Sequence, residues 1–284
     1  MKSGPTPMLH ALWDDLSDFP ASRIDEGLDF LMRWFHEHLA VDNVTWLGIL
    51  RMLDENAAAS DPFNGWRVRA RQSLLPRSEH YEKLIAAYFS DEHFGRLTPA
   101  FYRKGSGPEA EVHVGTASRT FMREAGAFRV HRLRDGWIDY AKFRRTEHYR
   151  LYYKLNDIAD RIWIAFPVSP TVESIFLLDR LASGPNAKRR FTPDEADLAG
   201  TALRGLKEFH RRLLLGHGVL RNVKPLSPLK RRLLQELLSA KSEKEIAATM
   251  KRKPTTIREY VRELYAEYGV RTRTGLMALW LGEI

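Results

Sequence analysis

Between Pro254 and Tyr268, the residues Ile257, Val261, Leu264, Tyr265 and Tyr268 fall at i, i+4, i+7, i+8 and i+11, the spacing of one helical face covered by a core. The opposite face carries Thr255, Arg258, Glu259 and Arg262. Arginine pairs bidentately with guanine, glutamate accepts from cytosine, and a helix fits the major groove with its N-terminal turns against the base edges. The face therefore has the chemistry of base readout. Taken alone, the same four residues also read as a solvated helix surface, on which Glu259 and Glu263 make a mildly repulsive i,i+4 pair.

The elements that must position this face lie just before it. Leu229, Leu233, Leu234, Leu237 and Leu238 give a first helix one buried side, and Ser242 can cap a short second helix whose Ile246, Ala247 and Met250 point inward. Pro254 opens the third. From Gly218 to Ile284 there are 14 Lys or Arg against 7 Glu and no Asp, so this quarter holds most of the net charge of +9. Such a segment attracts a polyanion by releasing its counterions, and charge alone reads equally well as a basic solvated surface.

From Leu226 the run LSPLKRRLLQELLSAKSEKEIAATMKRKPTTIREYVRELYAEYGVRTRTGLMAL resembles the LuxR-type (GerE-like) DNA-binding domain over about 54 residues without a gap. It carries the opening Leu-Ser-Pro, Lys-Glu-Ile-Ala in the second helix, Thr-Ile in the third and Gly-Val-x-x-Arg near the end. The resemblance implies an all-α, four-helix helix-turn-helix on double-stranded DNA, with Arg258, Glu259 and Arg262 at base-contacting positions. It also places Thr256 and Lys244 at phosphate-contacting positions and implies a homodimer joined in part by a helix from about Thr272 to Leu281. Departures are Lys230 and Arg232 where the family is acidic, Ala240 before the second helix, Arg252 where it is apolar and Lys253 where it has a capping Ser or Thr. Thr255 is the remaining candidate cap for the third helix.

Leu215-Gly216-His217-Gly218 reads as a helix stop and residues 218–225 as a linker, dividing a domain at 1–217 from the DNA-binding domain at 226–284. Thr192-Pro193-Asp194-Glu195 makes a capping box, opening a long helix whose Leu198, Ala202, Leu206, Phe209 and Leu213 share a face. Leu28, Leu31, Met32, Phe35 and Leu39 mark another helix. Strands are expected over 44–52 and 66–73 around a turn at 61–65, and over 161–168 and 172–181. Helices are expected over 81–89 and 141–155. The fold class is α+β, an antiparallel sheet flanked by helices without βαβ alternation. The segment from Tyr140 to Tyr149, the strands after it and the helix opened by Thr192 resemble GAF/PAS-like sensor domains, which implies a small-molecule effector or a dimerising role.

Trp46, Trp66, Trp137, Trp163, Phe166 and Phe176 are the candidate pocket aromatics, since ligand cavities are mostly apolar; on strands such residues are more often plain core. Asp61, Pro62 and Trp66 lack the tryptophan and tyrosine spacing of acyl-homoserine-lactone receptors, so that ligand is not expected. No cysteine is present, which excludes disulfides and thiolate chemistry. The ten histidines show no metal spacing, and Gly105-Ser106-Gly107 precedes Pro108 rather than a helix-opening Lys-Ser/Thr. Neither enzyme activity, nor a metal, nor a cofactor is expected. With no apolar run near the roughly 20 residues of a membrane helix, a soluble cytoplasmic protein without a membrane partner is expected. The competing reading is an interaction protein, or a sequence-independent nucleic-acid binder whose helix-turn-helix has drifted, as Lys251-Arg252-Lys253 suggests.

Overall fold

A computed structural model describes residues 5–52, 65–79, 81–83, 115–221 and 225–282. The chain divides into two compact units, one made of Met1–Leu31 with Leu206–Ile284 and the other of Met32–Gly205. Residues 218–221 and 225, part of the expected linker, lie inside the first of these.

The second unit is built on an antiparallel sheet of five strands among the described residues: β1 (Asn43–Arg51), β2 (Trp66–Ser73), β3 (Arg129–Arg132), β4 (Ile158–Ser169) and β5 (Val172–Leu181), in the order β2-β1-β5-β4-β3. Each side chain along a strand faces away from its neighbours, so strand pairing sorts the aromatics onto two faces. Trp46 pairs with Phe176 across β1 and β5, and Phe176 meets Phe35 with ring centroids 6.3 Å apart. Leu47, Ile49, Ile175, Leu177 and Trp163 take the other face.

Of the helices of the chain, α1 (Pro5–Ser17) and the start of α2 (Ile24–His38) belong to the first unit. Around the sheet stand α3 (Thr116–Arg123), α4 (Tyr140–Phe143), α5 (Glu147–Tyr149) and α6 (Pro193–Arg204). The single helix expected over 141–155 is in fact three pieces, α4, α5 and a π turn over Arg150–Lys154. Thr146 causes the break: its backbone is extended and its hydroxyl caps Tyr149 N. The long helix expected after Thr192 is likewise two. Thr192 and Glu195 form the capping box of α6, but Gly205 ends it and Leu206, with φ −103° and ψ 36°, leaves helical geometry before α7 (Lys207–Gly216). The expected turn at 61–65 lies almost wholly outside the described residues, as do most of the helix at 81–89 and the glycine segment at 105–107.

The first unit gathers α1, a 3-10 turn at Ala21–Arg23, the start of α2, α7 and four C-terminal helices: α8 (Pro228–Leu237), α9 (Glu243–Thr249), α10 (Pro254–Tyr268) and α11 (Arg273–Leu281). Their shared core runs from Leu215 and Leu226 through Leu233, Leu237, Ile246 and Ile257 to Leu264, Tyr268 and Trp280. Three of the starts are fixed locally, by Ser227 on Lys230 N, Ser242 in a capping box with Glu245, and Thr272 on Gly275 N. Arg273, the arginine of the Gly-Val-x-x-Arg run, donates to the carbonyls of Leu237, Ser239 and Lys241, satisfying the last carbonyl of α8 and two in the loop that follows it.

Candidate nucleic-acid interface and ligand cavity

The stripe on α10 is buried where its spacing requires: Ile257, Val261, Leu264 and Tyr268 are in the core and Tyr265 is half-buried. Thr255, Arg258, Glu259 and Arg262 are exposed on the other side, Lys244 is exposed on α9, and Thr256 is half-buried. Arg258 Nε stands 3.5 Å from Glu243 Oε2, an exposed pair worth little in water.

The turn between α9 and α10 is a Schellman motif. Arg252 N donates to Ala247 O at 3.0 Å and Lys251 N to Ala248 O at 3.1 Å, with Lys251 at φ +51° in the left-handed region where glycine is the usual residue. Lys253 follows as N-cap and no side chain caps the helix, Thr255 included. The positive end of α10 is therefore set among three exposed cations, Lys251, Arg252 and Lys253, an arrangement that favours an anion.

Lys230, basic where the resembled family is acidic, reaches across to α10. Its Nζ lies 3.0 Å from Glu263 Oε2 and also bonds Glu267, and these two hydrogen bonds raise its pKa above the ordinary lysine value. The substitution thus finds acidic partners on the solvent side of α10 away from Arg258 and Arg262.

In the other unit a cavity of about 180 Å³ lies between the sheet and the segment containing α3, α5 and the π turn. On β5 the cavity face reads Glu173, Ile175, Leu177, Asp179, two apolar residues flanked by two buried carboxylates. Each carboxylate is held by arginine. Arg129 Nη1 and Nη2 donate to Glu173 at 2.8 Å each, and Arg161 donates from Nε at 2.5 Å and Nη2 at 2.9 Å to Asp179, which Arg77 also binds. Burial would raise the Asp179 carboxyl, but the two guanidinium groups outweigh it and hold it below the ordinary range. Burial also pushes the Tyr153 phenol up to about 12, opposed by Arg161, so it remains neutral at physiological pH.

A β-bulge brings one further cation into the cavity. Gly48 pairs with Ala70 but Ile49 with Val68, so Arg69 is an extra residue in β2 and the facing parity changes there. Val68 and Arg71, three apart, consequently both line the cavity.

No protein-family model matches the chain. Over 57 residues, 20% of its length, it is 39% identical to a probable HTH-type transcriptional regulator, GfsR of Streptomyces halstedii, and the match spans 24% of that relative. Two solved structures of SdiA are also similar. One, in complex with octanoyl-rac-glycerol, has a TM-score of 0.44 at 12% identity, covering all of this chain and 96% of the other. The second, of Escherichia coli SdiA, has a TM-score of 0.38 at 11% identity, covering 97% and 95%. One stretch of the chain is thus similar to a helix-turn-helix regulator.

Of the six candidate pocket aromatics, Trp66 and Trp163 line the cavity and Phe166 does not. Trp137 packs its ring 5.2 Å from that of Trp163 without lining it, and Trp46 and Phe176 sit on the opposite face of the sheet, with Trp46 Nε1 donating to Ser174 Oγ. The cavity's arginines, Arg67, Arg71 and Arg161, and its Tyr153 and His148 were not singled out, because nothing in the local sequence tells a strand arginine that faces inward from one that faces water. Among the described residues no group of His, Cys, Asp or Glu could hold a metal ion, and no helix is long and apolar enough to cross a membrane.

Proposed function

We propose that this chain is a sequence-specific transcription regulator of the LuxR type, reading double-stranded DNA with α10 as a homodimer. The observation that carries this reading is the split of α10, whose buried stripe anchors it in the unit's core while Thr255, Arg258, Glu259 and Arg262 are all exposed. Arg258, Glu259 and Arg262 are assigned to base edges, with Thr255 on the same face; Lys244 and Thr256 position the helix on the backbone. Met277 and Leu281, apolar and exposed on α11, support pairing of two copies, which sets two α10 helices in successive major grooves and selects an inverted repeat. The sheet-bearing unit is assigned a GAF/PAS-like sensing role, its cavity taking a small molecule whose differential affinity for two arrangements shifts DNA binding. Cytoplasmic residence follows from that role.

Selection of random duplex DNA on the full chain at about physiological salt tests the proposal, since non-specific attraction is weakened there. An enriched inverted repeat is expected, and Arg262→Ala is expected to cut discrimination at one position by about 1–3 kcal/mol. Binding without enrichment overturns it.

A second reading has its own support. The exposed run Lys251-Arg252-Lys253 at an uncapped helix start favours phosphate irrespective of sequence. Sequence-independent nucleic-acid binding is therefore the outcome that failed enrichment would establish.

A further inference from the structure

We infer that the cavity of the sheet-bearing unit takes a small monocyclic aromatic carboxylate, with Arg71 as the residue that binds its carboxylate. The inference rests on the sensing role proposed above and gives that site a ligand class. Size comes first. A closed apolar space of about 150 Å³ holds one benzene ring, and drug-sized sites begin at about 300 Å³. At about 180 Å³ the cavity has room for one ring with one small substituent.

The walls favour a flat ring. Trp66, Phe121, Tyr153 and Trp163 surround the floor of Ile175 and Leu177, and aromatic rings pair edge-to-face or offset with such neighbours. The polar lining has one sign. Arg67, Arg71 and Arg161 border the space, and no Asp or Glu lines it among the described residues.

The three arginines are not equivalent. Arg161 is committed to Asp179 through two hydrogen bonds, and Arg67 donates to Trp66 O. Arg71 uses Nη2 on Glu82 Oε2 at 2.5 Å and stacks its guanidinium 5.5 Å from the Tyr81 ring centroid, but its Nη1 is buried with no hydrogen-bond partner. A buried charged donor lacking an acceptor is costly, and a carboxylate is the acceptor whose planar geometry a guanidinium matches. The β-bulge at Arg69 is what turns the Arg71 side chain to the cavity side.

Calorimetric titration of the full chain with benzoate, phenylacetate and their primary amides tests the inference. The acids are expected to bind at least tenfold more tightly than the matched amides. Arg71→Gln should remove that preference while leaving amide binding unchanged, and Glu82→Gln, which removes the negative charge competing for Arg71, should strengthen acid binding. If Arg71→Gln lowers thermal stability, Arg71→Lys and Glu82→Gln carry the comparison.

Equal binding of acids and amides, or an acid preference indifferent to both Arg71 and Glu82, overturns the carboxylate assignment. So does absence of acid binding at millimolar concentration. DNA enrichment scored on the same preparation separates these failures from failure of the regulator reading, because a chain that enriches an inverted repeat without binding either acid is a regulator with another ligand.

Discussion

Arg231 on α8 donates from Nη2 to Asp25 Oδ2 at 2.6 Å, joining the start of α2 to the first helix of the helix-turn-helix across 206 positions of sequence. Gln235 Nε2 reaches the same oxygen at 2.7 Å, and Arg231 Nη2 lies 3.0 Å from His217 Nε2. His217 Nε2 is 3.4 Å from Asp25 Oδ1, so one ring nitrogen faces both the arginine and the carboxylate. Burial would raise the Asp25 carboxyl, but its hydrogen bond to His217 and the Arg231 charge prevail and keep it low.

The same node makes stability pH-dependent. Burial depresses the His217 pKa below 6.5, against the pull of Asp25 and with help from Arg231. The folded state therefore binds this proton less readily than the unfolded state, and stability contributed by the neutral ring is present above about pH 6.5 and falls as pH drops below it. The slope approaches about 1.4 kcal/mol per pH unit for one proton. Urea unfolding at pH 5, 6, 7 and 8 should show a steeper loss for the native chain than for His217→Gln, which keeps an acceptor but does not titrate. Parallel pH profiles would remove His217 from this role.

Asp179 is the second test of buried charge. It has no exposed surface, and Arg161 and Arg77 both lean on it, Arg77 Nη2 also donating to Thr45 Oγ1 at 2.9 Å. Asp179→Asn would leave two buried guanidinium groups without their counter-charge. The expected loss is about 3–5 kcal/mol, read as a fall in the denaturant midpoint at constant m-value. A loss under about 1 kcal/mol would mean that water reaches the arginines.

The C-terminal helices were legible because their signals are local. Ser242 and Glu245 sit three apart, the stripe from Ile257 to Tyr268 repeats every turn, and both are set by helix geometry before any tertiary contact forms. The cavity was not legible, because its composition depends on register. Trp46 and Trp163 are both strand tryptophans among apolar neighbours, and only the pairing of Trp46 with Phe176 and of Trp163 with Leu177 assigns them to opposite faces. Arg71 changes face through one extra residue, and the ion pair of Arg77 with Asp179 spans 102 positions. The break of the 193–216 helix at Gly205 lay within a continuous apolar stripe, whose periodicity outvoted the weak helix propensity of one glycine.

Gly115 offers a test of how closely the cavity wall is packed. Its φ is +49°, and a Cβ placed there would meet the His148 ring at 2.4 Å. Gly115 precedes α3, which supplies Phe121, and His148 itself lines the cavity, so a methyl group pushes on both walls. Gly115→Ala is expected to cost at least about 2 kcal/mol, combining backbone strain with overpacking. Thermal unfolding of the variant checks the figure, and a melting temperature equal to that of the native chain would show that the His148 ring swings aside freely.

Lys251 separates stability from recognition at one position. A lysine at φ +51° pays a steric penalty that glycine avoids, of about 1 kcal/mol, and the Schellman hydrogen bonds of Arg252 and Lys251 use backbone atoms that the substitution retains. Lys251→Gly should therefore raise the stability of the unit holding the helix-turn-helix by about 1 kcal/mol while removing one exposed cation. If Lys251 neutralises a phosphate, the slope of log affinity against log salt should fall by about 1 with the order of preferred DNA sites unchanged, because a backbone contact carries no base information. A changed order of sites would instead mean that Lys251 sets the angle at which α10 meets the bases. An unchanged salt slope with higher stability would place Lys251 off the DNA and leave Arg252 and Lys253 as the phosphate-facing cations of the turn.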